Sequence, residues 1–176
     1  NLKQLGLAWT MYVQDYDERA LPSGTANVFG TGPDANVLWS GYADFSNMAS
    51  PTTDETRSPM YPYMKNTQFT GCPSANDVKP DYWGVTNYGY NIIYVGGYKG
   101  FVEGYLSTYG ITPPAAATLN PTSLAGIARP AETVLFGDSA YPDAGGPIRY
   151  PFLFPPSFAA GWPSGNAHAR HNEMTN

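Results

Sequence analysis

Leu2, Leu5, Trp9, Tyr12 and Tyr16 recur at spacings of three and four, so they share one face of a helix. Lys3, Gln4, Thr10 and Gln14 fall largely elsewhere on the wheel. Gly6 costs this helix about 1 kcal/mol against Ala, so packing on a partner must hold it. The helix should end between Tyr16 and Arg19, ahead of Pro22. Nineteen Gly and seventeen Pro interrupt the 176 residues, and aromatics make up 15%. A chain so composed is rich in loops and builds its core around aromatic rings.

Residues 23–36 are Gly-, Ser-, Thr-, Asn- and Pro-rich and read as loop. Residues 37–48, with Val37, Leu38, Trp39, Tyr42 and Phe45, suggest a short helix or an irregular packed segment. Within 51–66, three prolines leave room only for a helical turn over "SPMYPYMKN", whose Pro59 suits a first turn. "YWGVTNYGYNIIYV" (82–95) has the β-branched and aromatic residues of a strand. "ETVLFGD" (132–138) is the clearest strand, an apolar run between Pro130 and Gly137. "GGPIRYPFLFPP" (145–156) suggests an edge strand stopped by Pro155 and Pro156. Residues 96–127 form a loop insertion in a single domain covering 1–176. One helix followed by long loops and strands predicts an α+β fold, with the N-terminal helix on a small antiparallel sheet.

Composition excludes several roles. A hydrophobic fraction of 42% argues against disorder. Net charge is −5 and no basic cluster is present, so the chain has no surface for nucleic acid. No run of about twenty apolar residues would cross a membrane.

Four constellations invite chemistry. "VLFGDS" puts Ser139 after a strand and resembles the nucleophile block of GDSL-type hydrolases, with His168 or His171 as base. That family places its Ser early in a parallel α/β domain, whereas Ser139 comes late and no strand–helix alternation surrounds it. His168 and His171, three apart, would suit a metal only on a helix, and Gly165 and Asn166 precede them. Asp15, Asp17 and Glu18 cluster at the helix end, and Asp138 and Asp143 flank a turn. Asp138 and Asp143 are the candidate calcium ligands, because calcium takes carboxylates together with loop carbonyls; against this, Asp15 and Asp17 also suit a solvated turn and Asp138 also suits accepting backbone N–H groups. Trp39, Tyr42, Trp83, Tyr88, Tyr90, Tyr94, Tyr98 and Tyr105 offer amphipathic rings for glycans or protein interfaces, or simply fill a core.

The opening "NLKQLGLAWTMYVQDYDERALP" resembles the second half of the long N-terminal helix of bacterial type IV pilin-like proteins, relatives of pseudopilins. "PYMKNTQFTGCPS" (62–74), "NYGYN" (87–91) and "ARPAETVLFGDS" (128–139) resemble further segments of that family, in the same order. "RHN" (170–172) resembles the start of its C-terminal pattern of His, nine residues and Asp-Gly. The resemblance implies that residues 1–19 continue an apolar half-helix lying before Asn1, and that a last strand follows Asn176. It implies that Cys72, the one Cys of the chain, pairs with a Cys just upstream of Asn1, outside the cytoplasm.

In that family the apolar half-helices bundle into a filament core and the heads face solvent. The resemblance therefore implies a structural subunit, not an enzyme: part of an extracellular or envelope-spanning pilus or secretion pseudopilus. Its partners would be copies of itself in a helical homopolymer, touching the membrane only through the preceding helix before assembly. Leu2, Leu5, Trp9, Tyr12 and Tyr16 would dock the head on the helix. No cofactor is implied beyond the calcium considered above. The alternative is a surface module that binds a glycan or small solute through its aromatics.

Overall fold

The computed structural model describes residues 1–24, 37–44, 52–66, 71–75, 77–79, 86–97, 99, 118–154 and 167. The fold is α+β: an N-terminal helix with small, mainly antiparallel sheets. Helix α1 runs Leu2–Asp15. It buries Leu5, Ala8, Trp9, Tyr12 and Val13. This face is wider than the stripe of threes and fours, because Ala8 and Val13 flank it.

Residues 37–44 form a hairpin, not the helix or irregular segment the aromatics suggested. Strand β1 (Val37–Leu38) pairs antiparallel with β2 (Gly41–Asp44), and Trp39 and Ser40 make the turn. Gly41 supplies a φ of 141°, which side-chain-bearing residues rarely adopt. Strand β3 (Thr52–Asp54) completes this sheet in the order β1-β2-β3. Phe45 and the rest of 45–48 lie outside the described residues. The expected turn of helix is α2 (Tyr61–Met64), closed by Lys65 in the left-handed conformation; its first-turn proline is Pro62, while Pro59 lies ahead of the Met60 N-cap.

The second sheet has the order β5-β4-β8, with β4 (Tyr88–Asn91) in the middle. It pairs antiparallel with β5 (Phe136–Asp138) and parallel with β8 (Phe152–Leu153). Both strands are shorter than the apolar runs that announced them. A Pro130–Glu132 3₁₀ turn occupies the start of the second run, and Ile92 to Val95 turn back into the core. The expected edge strand over 145–156 is instead two short strands. One is β7 (Ile148–Arg149), antiparallel to β6 (Ala140–Tyr141); the other is β8. Pro151 separates them, and its carbonyl accepts from the Tyr90 N–H at 3.0 Å. The parallel β4–β8 pair required a long crossover that local pattern does not announce.

Gly89, at the centre of β4, has no room for a side chain: a Cβ would lie 2.7 Å from Ser139 Cβ and 2.8 Å from Leu153 Cγ. The end of the expected 96–127 insertion is stitched to the core by Thr118 N to Ile93 O (2.7 Å), Thr122 N to Val95 O (3.0 Å) and Ala20 N to Thr122 O (2.8 Å).

Candidate functional site

Helix α1 is the element whose two faces matter. Its inner face docks through a polar relay set among apolar contacts. The Trp9 Nε1–H donates to the Tyr90 hydroxyl at 3.2 Å, and that hydroxyl donates to the Leu21 carbonyl at 2.8 Å. One phenol thus ties helix, sheet and the segment after the helix together, with every buried polar atom of the relay satisfied. Sequence periodicity marked Trp9 and a strand near Tyr90, but no pattern signals that their polar tips meet.

Burial pushes the Tyr90 phenol well above its ordinary value of 10.0, against a lowering by the Trp9 bond. Burial also pushes Tyr88 up to about 12, with the Asn1 bond opposing and Cys72 adding. Tyr63 rises to about 12 through burial and then through its 2.9 Å bond to Asp15. A phenol whose pKa is higher in the folded state than in the unfolded one stabilises the fold fully below pH 10. That stability is lost as pH rises through the folded values. The protein is therefore expected to lose stability between about pH 10 and 12. Absorbance at the tyrosinate band, followed with circular dichroism, checks this. The most resistant tyrosines should ionise together with unfolding; a full, smooth titration near pH 10 with the fold intact would contradict the assignment.

Of the five residues expected to dock the head, Leu5, Trp9 and Tyr12 are buried, whereas Leu2 (38% exposed) and Tyr16 (52%) are not. The described head covers only the middle turns of α1. Leu2 overhangs its first turn, and Tyr16 is already the C-cap, with φ −120° and ψ 50°, outside helical geometry. Tyr16 instead stacks on Tyr12, with centroids 4.2 Å apart and planes 9° apart.

The outer face of α1 carries Leu7 (58% exposed) and Met11 (50%), four residues apart and away from the buried stripe. The expectation rested on the inner stripe and passed over this pair, although its i, i+4 spacing is visible in the sequence.

Cys72 is buried at the start of this same helix. The Asn1 Nδ2 donates to the Gly71 carbonyl at 3.3 Å, and the Cys72 N–H donates to Asn87 Oδ1 at 2.7 Å. A hollow of about 530 Å³ opens there between Asn1, Leu2, Lys3, Cys72 and Tyr88.

The other constellations fare differently. Ser139 is fully buried and donates its Oγ proton to the Phe152 carbonyl at 2.9 Å, so it holds β8 in place and faces no solvent. His168 and His171 lie outside the described residues. The Asp143 carboxylate accepts from the Gly145 N–H at 3.1 Å and closes its own turn, while Asp138 is half-buried on β5 opposite Tyr88. Among the described residues, no three His, Cys, Asp or Glu side chains gather as a metal site would require. Trp39, Tyr88 and Tyr90 are core residues, and Trp83, Tyr98 and Tyr105 lie outside the described residues. No helix among the described residues is long and apolar enough to cross a membrane. No protein-family profile, no curated protein and no solved structure matches this chain.

Proposed function

We propose that this chain is the head and adjoining half-helix of a structural subunit of a type IV pilin-like filament, a pilus or a secretion pseudopilus, working outside the cytoplasm. The observation that carries this reading is the double use of α1. Its inner face is committed to the sheets, and its outer face presents Leu7 and Met11 to solvent. An apolar pair in one place on a helix already docked on its other side favours a further helix as partner. Copies related by an operation that does not close would extend into a fibre. The buried Ser139 supports a structural role over a hydrolytic one.

Electron microscopy of material sheared from the source cells, with peptide mass spectrometry, tests the reading. Uniform fibres rich in peptides of this chain are the expected result. Peptides confined to fractions without fibres would remove the filament.

On the same reading Cys72 bonds a Cys on the helix segment before Asn1. Its place beside Asn1 at the start of α1 supports that pairing, since sulfurs bridge only when their Cα atoms are within about 7 Å. In the mature protein from the source, unfolded without reductant, maleimide should leave Cys72 unlabelled, and prior reduction should make it fully reactive. Labelling without reduction would exclude the disulfide.

A further inference from the structure

At the other end of α1 lies a second hollow, of about 360 Å³, walled by Tyr12, Tyr16, Asp15, Asp17 and the rings of Pro22 and Pro121. It is an open groove, with Asp15, Tyr16, Asp17 and Arg19 exposed and Tyr12 and Ala20 buried at its floor. The Tyr12–Tyr16 stack forms an aromatic wall, and Tyr63 braces it edge-on at 5.9 Å and 76°. The Tyr63 hydroxyl donates to Asp15 Oδ2 at 2.9 Å and so orients that carboxylate. Arg19 also lines the hollow, yet it forms no ion pair with either carboxylate. The wall thus keeps two acidic groups against one cation, beside the negative end of the helix. The prolines bring no N–H, and the side-chain donors on the wall are Arg19 and the phenols. A ring face, an apolar rim and uncompensated negative charge together describe a receptor for an alkylated cation.

We propose that this hollow binds an organic cation of the quaternary or alkylated ammonium class, with its alkyl groups on the Tyr16 ring and its charge toward Asp15 and Asp17. A sugar fits less well, because it brings no positive charge to a wall whose acidic groups outnumber its one cation. The site does not depend on the filament reading, since every group in it belongs to one copy.

Choline chloride and its uncharged isostere 3,3-dimethylbutan-1-ol, titrated into the purified protein at constant ionic strength and followed by NMR, decide the matter. Choline should shift the Tyr16 ring signals saturably, and the alcohol should not. Tyr16→Ala should weaken choline about three- to fivefold. Asp17→Asn, which keeps a residue tolerant of the left-handed backbone found there (φ 51°), should weaken it about threefold. Both positions are exposed, so unchanged melting of each variant reports an intact fold. Equal binding of the alcohol would overturn the proposal, leaving only an apolar hollow. It would also fall if methyl glucoside bound in preference, if Tyr16→Ala kept full affinity, or if choline gave no saturable shift.

Discussion

Trp39→Ala should lower the free energy of unfolding by about 3–5 kcal/mol, a large part of what holds a domain of this size. The residue is 0% exposed and sits where the two sheets meet. Its ring lies 5.2 Å from Phe136 and 5.9 Å from Tyr90, centroid to centroid. Its indole N–H donates to the Pro151 carbonyl, between β7 and β8. Its backbone N–H donates to the Ser23 carbonyl at 3.0 Å, and its own carbonyl accepts from Ser58 Oγ at 2.6 Å. Truncation leaves a cavity among rigid rings and removes one of two donors to the Pro151 carbonyl, which keeps the Tyr90 N–H. Trp39→Phe separates the two terms: it keeps most of the ring and loses the donor, for about 0.5–1.5 kcal/mol. Urea unfolding followed by circular dichroism measures both. A loss under about 1 kcal/mol for Trp39→Ala would mean that the hairpin turn is not part of the core.

If the chain assembles as proposed, the double substitution Leu7→Glu and Met11→Glu should abolish fibres while leaving the fold nearly unchanged. Both side chains are mostly in water, so stability should move by no more than about 0.5 kcal/mol. Glu is about as good a helix former as Leu or Met. The new carboxylate at position 7 would lie one turn from Lys3, but the two new carboxylates repel each other and the one at position 11 repels Asp15, a net cost of about a few tenths of a kcal/mol. In a helix–helix contact the same two carboxylates would be buried without partners, which costs several kcal/mol per copy. The loss repeats at every contact along a fibre. Sedimentation and electron microscopy of the variant, beside its melting curve, separate the two effects. Normal fibres would show that this face of α1 stays in solvent, and assembly would have to use another surface.

The helix was legible because an amphipathic period extends over four turns without a proline, and Leu5, Trp9 and Tyr12 are buried as that period requires. The strands were legible as regions but not as lengths. "ETVLFGD" gave up only Glu132 to the 3₁₀ turn that Pro130 opens, and residues 133–135 lead from that turn into the strand at Phe136. Residues 37–44 were misjudged because apolar residues in a short run suit a buried helix or a buried hairpin equally. Among the candidate sites, Cys72 and the start of α1 lie 71 positions apart in the numbering, and the bond from Asn1 to Gly71 brings them together. The hollow between Tyr16 and Pro121 joins segments just as remote.

By itself, the sequence determined the class of elements: one amphipathic helix, short strands between Pro and Gly, an aromatic core and an acidic balance. These follow from local sterics and from the periods of helix and strand, which act over a few residues. Tertiary structure alone decided that the Tyr90 hydroxyl accepts from the Trp9 N–H, that β8 lies parallel to β4, that Ser139 is interior, and that Leu7 and Met11 remain outside. Each of these depends on contacts between distant segments, whose energies exist only once the chain has closed its loops.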